Sequence, residues 1–208
     1  TAITNTSLLC NFTNGAIYDN MAYNDLETVG NAQISTSVKK YGTGSMYFNS
    51  ASAASYAVTY NANANAFGTG DLTIEGWIYP TQYTSDSEIC TFRVGGNILF
   101  VVINGGNLCV HTNGYSPSLS YASFGAISLN TWTYIAITRV SGTWYGYING
   151  TKSGSSYSWA TSFLPTDIRV GESNTGRWIG YIDDLRITKG IARYVSNFTP
   201  PTAALPTK

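Results

Sequence analysis

Read only for apolar and polar positions, the chain shows short alternating runs and no helical period of any length. Residues 71–79 are the clearest run. Leu72, Ile74 and Ile78 fall on one face, Thr73, Glu75, Trp77 and Tyr79 on the other, and Pro80 closes the run. Residues 131–139 alternate in the same way, with Trp132, Tyr134 and Ala136 opposite Ile135 and Ile137. Ser141-Gly142 then turns the chain into residues 144–149, where Trp144 and Ile148 oppose Tyr145 and Tyr147. Asn149-Gly150 follows as a hairpin turn, since both residue types accept positive φ. Residues 88–94, 98–104 and 107–113 read as a meander joined by Gly95-Gly96-Asn97 and Gly105-Gly106. Its middle strand, ILFVVI, is apolar on both faces, which predicts cover on both sides, from loops or from another subunit. Further strands are expected at 7–12, 33–35, 45–49, 56–59, 167–170 and 181–188, with 61–67 a polar loop. About a dozen short strands punctuated by Gly and Asn predict an all-β fold, a two-sheet antiparallel sandwich of jelly-roll type. One domain is expected over residues 1–196, with the Pro-rich 197–208 as an exit segment.

Composition narrows the function classes. Charged residues are 11%, against ~25% in ordinary soluble domains, and Lys+Arg 11 balances Asp+Glu 11. No cationic excess seeks phosphate, so nucleic acid and anionic membrane are not expected partners. Lys39-Lys40 and Lys189 with Arg193 are too sparse for a nucleic-acid groove. No apolar run approaches the ~20 residues of a spanning helix, so membrane insertion is not expected. Tyr 16 and Gly 21, with abundant Ser, Thr and Asn, suit half-buried sheet surfaces and tight turns. Low charge and many hydroxyls also suit an extracellular or virion surface. The chain opens on Thr1 without a signal-peptide pattern, read as a trimmed or internal start. Asn5, Asn11 and Asn149 begin glycosylation-type triplets, which chance explains in an Asn- and Thr-rich chain.

Cys10, Cys90 and Cys109 cannot all pair within one chain. Counting back from the two glycine turns sets Cys90 and Cys109 both opposite Val102. Their strands flank a third and so lie ~9.6 Å apart, beyond the ~7 Å Cα reach of a disulfide. Buried thiols acting as small hydrophobes are expected.

Six segments carry a family resemblance: GTGSMYF (42–48), GTGDLTIEGWIYP (68–80), NTWTYIAITR (130–139), YINGT (147–151), DIRVGES (167–173) and GYIDDLRITKGIARY (180–194). In this order they resemble the laminin-G-like branch of the concanavalin A-like lectin/glucanase superfamily, over about residues 7–198. The wording DLRITKGIARY and the FTPPT exit are similar to versions in bacteriophage tail and virion proteins. The resemblance implies a jelly roll with one curved sheet, and adhesion or sugar binding more often than catalysis. It also implies a structural calcium on the aspartate of the IDD motif, Asp183, with Asp19 of the long polar loop the best match for a second ligand, although Asn24 and Asp25 could serve. Calcium takes six to eight oxygens. Simple alternation sets Asp183 on the face of Leu185 and Ile187, so its carboxylate must be hydrogen-bonded, paired or metal-bound. Capping of backbone amides without metal is the alternative.

The acids do not read as catalytic. Glu75 and Arg186 lie on the polar sides of strands that share a sheet in this family, which points to a structural Glu–Arg fork. A retaining glycosidase needs two carboxyls ~5–5.5 Å apart. No ExDxE-type run is present, Glu27, Glu75, Glu88 and Glu172 each stand alone, and adjacent Asp183-Asp184 point to opposite faces. His111, the single histidine, has no evident nucleophile partner. Sugar rings stack their C–H faces on aromatics and give their hydroxyls to short polar groups. The candidates are Trp178 with Asn174 and Arg177 in one loop, Tyr145 and Tyr147 on one strand face, and Tyr115 and Trp159 in loops. Trp77, Trp132 and Trp144 are assigned to the core. The expected function is a non-catalytic, lectin-like module that binds a host-surface glycan as part of a phage tail fibre or virion protein. Weak contacts would add up over several copies. The alternative is a virion decoration or assembly module without sugar binding, which would partner its own copies or other virion proteins.

Overall fold

The computed structural model describes residues 6–10, 26–49, 54–60, 65–172 and 176–206. The described residues form fifteen strands: β1 (Thr6–Cys10), β2 (Glu27–Gly30), β3 (Gln33–Ser35), β4 (Ser45–Asn49), β5 (Ser55–Thr59), β6 (Leu72–Gln82), β7 (Asp86–Val94), β8 (Asn97–Asn104), β9 (Asn107–Asn113), β10 (Ala122–Ala126), β11 (Thr133–Val140), β12 (Thr143–Ile148), β13 (Thr151–Ser158), β14 (Asp167–Val170) and β15 (Ile179–Lys189). One eight-stranded sheet runs β13-β12-β11-β6-β15-β4-β3, with β1 also on β15. The second, seven-stranded, runs β10-β9-β8-β7-β14-β5-β2. Every pairing is antiparallel, as the alternating runs and short turns predict.

The inner faces of the two sheets meet in one core. Leu72, Ile74 and Ile78 of β6, Ile135 and Ile137 of β11, and Ile182, Leu185 and Ile187 of β15 pack against Phe92, Leu99, Val101, Ile103 and Ile168. Each such side chain contributes about 1.5–3 kcal/mol by leaving water. Gly146 lets the sheets approach, because a Cβ there would lie 2.2 Å from the Phe124 ring.

The β7-β8-β9 meander forms as expected, with one change of register. A bulge between Glu88 and Cys90 sets Cys90 opposite Val101, while Cys109 pairs with Val102. Cys90 therefore belongs to the inner core and Cys109 to the outer face. Opposite faces keep the two thiols apart, and all three cysteines are buried.

The predicted cover over ILFVVI is present within the single chain. Ile98, Phe100 and Val102 form a separate buried cluster with Cys109 on the outer side. Phe100 stacks on His111 at 4.3 Å, and His111 stacks on Tyr121 at 4.2 Å.

Residues 197–206, expected as an exit segment, instead pack across the outer face of the eight-stranded sheet. The Phe198 N–H donates to Gly150 O (2.8 Å), the Tyr41 hydroxyl donates to Pro201 O (2.8 Å), and Leu205 is buried. Gly150, at φ +80°, makes room: a Cβ would lie 2.0 Å from Phe198 O. Prolines disfavour a regular strand, but nothing in them prevents docking through neighbouring apolar side chains.

Candidate functional site

The outward positions of β4, β15, β6, β11 and β12 carry two groups of aromatic rings on one sheet face. The first is covered. Trp77, Tyr134, Ala136 and Tyr147 are buried, with Tyr41, Trp132, Tyr145, Tyr194 and Phe198 packed on them. Tyr194 and Phe198 stack at 3.6 Å. Glu75 lies beneath as a hub: Oε1 accepts from Arg186 Nε (2.7 Å) and Nη2 (2.6 Å), and Oε2 accepts from the Tyr134 and Tyr194 hydroxyls. Arg193 Nε lies 3.4 Å from Oε1. Burial, with the Glu75 charge next, pushes the Tyr134 phenol well above its ordinary value and the Tyr194 phenol up to about 12. The expected structural fork is present, extended by two phenols and a second arginine.

The second group is uncovered. Tyr47 of β4, Tyr181 of β15 and Tyr79 of β6 lie directly across from one another in the strand register. Trp132, one residue before β11, continues the row beside Tyr79. Tyr47 and Tyr181 stack at 4.6 Å with planes 21° apart. Tyr79 meets Tyr181 edge-on at 5.8 Å and 75°, and Trp132 lies against Tyr79 at 5.4 Å. All four are half-buried. Exposed amides border them: Gln33 opposite Tyr47, and Asn49 and Gln82 both opposite Ile179. Sequence reading missed this row; Trp132, assigned to the core, packs against the covered cluster on one side and stays half-buried beside Tyr79. Each strand shows only one such ring in its alternation, and only the strand order lines them up.

The residues expected to bind sugar are placed differently. Trp178 is 0% exposed and belongs to the inter-sheet core, because the chain entering β15 turns inward there. It cannot serve as a rim aromatic. Arg177 lies 3.6 Å from Glu172 Oε2 and is partly exposed, and Asn174 lies outside the described residues. Tyr147 is buried under the tail, its hydroxyl donating to Tyr194 O (3.2 Å). Tyr145 is half-buried, with the Lys152 ammonium 4.2 Å from its ring centre. Tyr115 packs edge-on against Trp159 at 5.3 Å, and Trp159 is buried in the core beside Trp144. These candidates do not gather into one site.

Asp183 also departs from simple alternation. A bulge between Asp183 and Arg186 leaves Asp184 at φ +48° and shifts the pattern by one. Asp183 therefore faces outward opposite Trp77, not toward the core with Leu185 and Ile187. Its Oδ2 accepts from Lys40 N (2.8 Å) and Tyr41 N (3.1 Å), and its Oδ1 from Asp184 N (2.9 Å). Asp184 Oδ2 accepts from Leu205 N (3.0 Å), so both aspartates secure segments over the outer face rather than opposite faces. Burial pushes Asp183 up to about 6 against the pull of these amides. Burial and the Asp183 charge push Asp184 to about 7. Asp183 thus performs the amide-capping role, with both oxygens engaged. Asp19 lies outside the described residues, and among those described no group of three acidic, His or Cys side chains gathers.

One acidic pair was legible and overlooked. Asp86 and Glu88 are two residues apart on β7 and share its outer face with Asn104 and Val102. Glu88 is 0% exposed and accepts from Gly176 N (3.0 Å). Asp86 accepts from Asn104 Nδ2 (2.8 Å) and the Tyr121 hydroxyl (3.0 Å). A buried, amide-capped glutamate holds a loop and does not meet a substrate. Burial lowers the nearby His111 below its ordinary value.

A family model described as the concanavalin A-like lectin/glucanases superfamily, of laminin G type, matches residues 52–191. No curated protein matches the chain. Among solved structures, domain 4 of AbnA, a GH43 extracellular arabinanase from Geobacillus stearothermophilus solved with arabinotriose, is 19% identical, with 89% of this chain and 92% of that chain covered and a TM-score of 0.71. The binding domain of botulinum neurotoxin serotype D is 18% identical, covering 90% and 49%, with a TM-score of 0.64. That of botulinum neurotoxin DC, solved with SialylT, is 16% identical, covering 90% and 48%, with a TM-score of 0.68. The chain spans about half of these toxin domains, and at such identities the likeness is one of fold. The family match covers well over half of the chain and the sandwich agrees with it: the chain belongs to the laminin G-type family of the concanavalin A-like lectin/glucanases superfamily.

Proposed function

We propose that the chain is a non-catalytic carbohydrate-recognition module whose ligand lies on the open row Tyr47–Tyr181–Tyr79–Trp132. The observation that carries this is the contrast in polar handles. In the covered group the hydroxyls of Tyr41, Tyr134, Tyr147 and Tyr194 all donate within the protein, and of its buried polar atoms only the Trp77 indole N–H lacks a partner there and is closed off from any ligand. The three phenols and the indole of the open row make no such bond among the described residues. Half-exposed rings with free hydroxyls offer apolar faces to sugar C–H groups and donors to sugar hydroxyls. Rings that brace one another lose little freedom on binding, which favours affinity. The fold of the toxin binding domains and of the arabinanase domain, both seen with saccharides, supports the reading by likeness alone.

In the setting that the motif wording resembles, a bacteriophage tail or virion protein, the ligand would be a glycan on the host surface, met by several copies at once. The assembly alternative has lost its main support, since the outer side of ILFVVI is already buried within one chain. A glycan array with the multimerised domain tests the proposal. Binding should be lost in Trp132→Ala and Tyr181→Ala while both variants stay folded. Binding that survives in both overturns it.

A further inference from the structure

We infer that this row takes an uncharged, extended glycan laid across the strands, and discriminates against sugars that carry a carboxylate. The inference rests on the carbohydrate reading of the row and adds the ligand's class and direction.

Direction follows from register. Tyr47, Tyr181 and Tyr79 sit at one level on adjacent strands, and Trp132, just before the Thr133–Ile78 pair, carries that level to the next strand over. Three strand intervals of ~4.8 Å span roughly 14 Å perpendicular to the strands, a length for several sugar rings rather than one. The stacked pair Tyr47 and Tyr181 close their facing sides and present rims and hydroxyls. Tyr79, turned 75° from Tyr181, and Trp132 are left as the stacking surfaces.

Class follows from charge. The four rings and the bordering Gln33, Asn49 and Gln82 are all neutral. On the neighbouring 36–44 loop, the Lys39 ammonium donates to Thr36 O (2.7 Å). The Lys40 ammonium lies 3.9 Å from the Trp77 ring centre and 5.5 Å from that of Tyr41. Lys40 is therefore held over the covered group by its cation–π contacts. A ligand carboxylate drawn onto the row would lose water without gaining a cation, which is unfavourable. Sugar hydroxyls instead find neutral donors and acceptors in the amides, phenols and indole.

The test is calorimetric titration of the full chain with unbranched neutral oligosaccharides, from monosaccharide to hexasaccharide, and with their uronate counterparts. The neutral series should tighten with length until the row is filled. Neutral chains should bind at least about tenfold more tightly than uronates, a difference of ~1.4 kcal/mol. Added salt and Lys40→Met should leave this binding unchanged. Uronates that bind as tightly, monosaccharides that match the longer chains, or loss of binding in Lys40→Met would overturn the inference. Where such binding is still abolished by Trp132→Ala, the row remains the site and only its ligand class falls. Binding that ignores Trp132→Ala and Tyr181→Ala, or none by any probe, removes both.

Discussion

Two sets of aromatic rings share one face of the eight-stranded sheet, yet they meet opposite fates. Around Trp77, Tyr134 and Tyr147, the tail and the 36–44 loop close over the rings, and Glu75 gathers two hydroxyls and two arginines beneath them. Around Tyr47, Tyr181, Tyr79 and Trp132, the same sheet carries rings that touch one another but remain half-exposed. Abundance of tyrosine therefore says little about function here. In the covered set four hydroxyls are satisfied by the protein, whereas the rings of the open row keep exposed faces together with unbonded polar ends.

The largest effect should come from the hub of the covered set. Arg186→Leu leaves Glu75 buried with its two phenol donors but only the partly exposed Arg193 as a cation, and a loss of about 3–5 kcal/mol is expected. Urea unfolding measures this, and a normal midpoint would show that the hub does not hold the covered set together. Next comes Phe198→Ala, which strips the tail's contact with Tyr134, Tyr147 and Tyr194. Because the ring is only partly buried, about 1–2 kcal/mol is expected, below a full core truncation. A thermal melt reads it directly.

Tyr181→Ala should invert that balance. Stability should change by no more than about 1 kcal/mol, while glycan binding collapses. A variant that unfolds would merge the two sets and erase the comparison. The smallest effect is spectroscopic. Tyr194 is pushed up to about 12 by burial and by the Glu75 charge. Its folded form holds the phenolic proton longer than the unfolded chain, which releases it near ~10. The associated stability is fully present below ~10 and lost as pH rises toward about 12. Ultraviolet titration should show late-ionising phenols, Tyr121 and Tyr134 among them, with one fewer in Tyr194→Phe. An unchanged titration would remove Tyr194 from that set.

Much of the fold was legible because its signals are local. Period-two runs set β6, β11 and β12, and paired glycines set the meander from β7 to β9. The Glu75–Arg186 fork was legible for the same reason, with the strand adjacency taken from the family resemblance. Asp86 and Glu88 were equally legible from their spacing, though only the burial of Glu88 and the bonds of Asp86 to Asn104 and Tyr121 tie them to the fold. Failures cluster at bulges. One extra residue at Asp184 turned Asp183 to the other face, and another between Glu88 and Cys90 moved a cysteine by one register position. A bulge leaves no mark in hydrophobic alternation, because it changes the backbone path and not the residue types.

The sequence by itself determined that the chain is all-β and that its apolar positions form the inner faces of a sandwich. Each of these depends on residue types a few positions apart, where chain connectivity enforces geometry. Tertiary structure alone decided that Trp178 is core, that Phe198 and Leu205 seal the tail onto the sheet, and that four rings from four strands stand in a line. Those outcomes depend on which distant strands become neighbours, and cross-strand order is set by the packing of the whole sandwich rather than by any single segment.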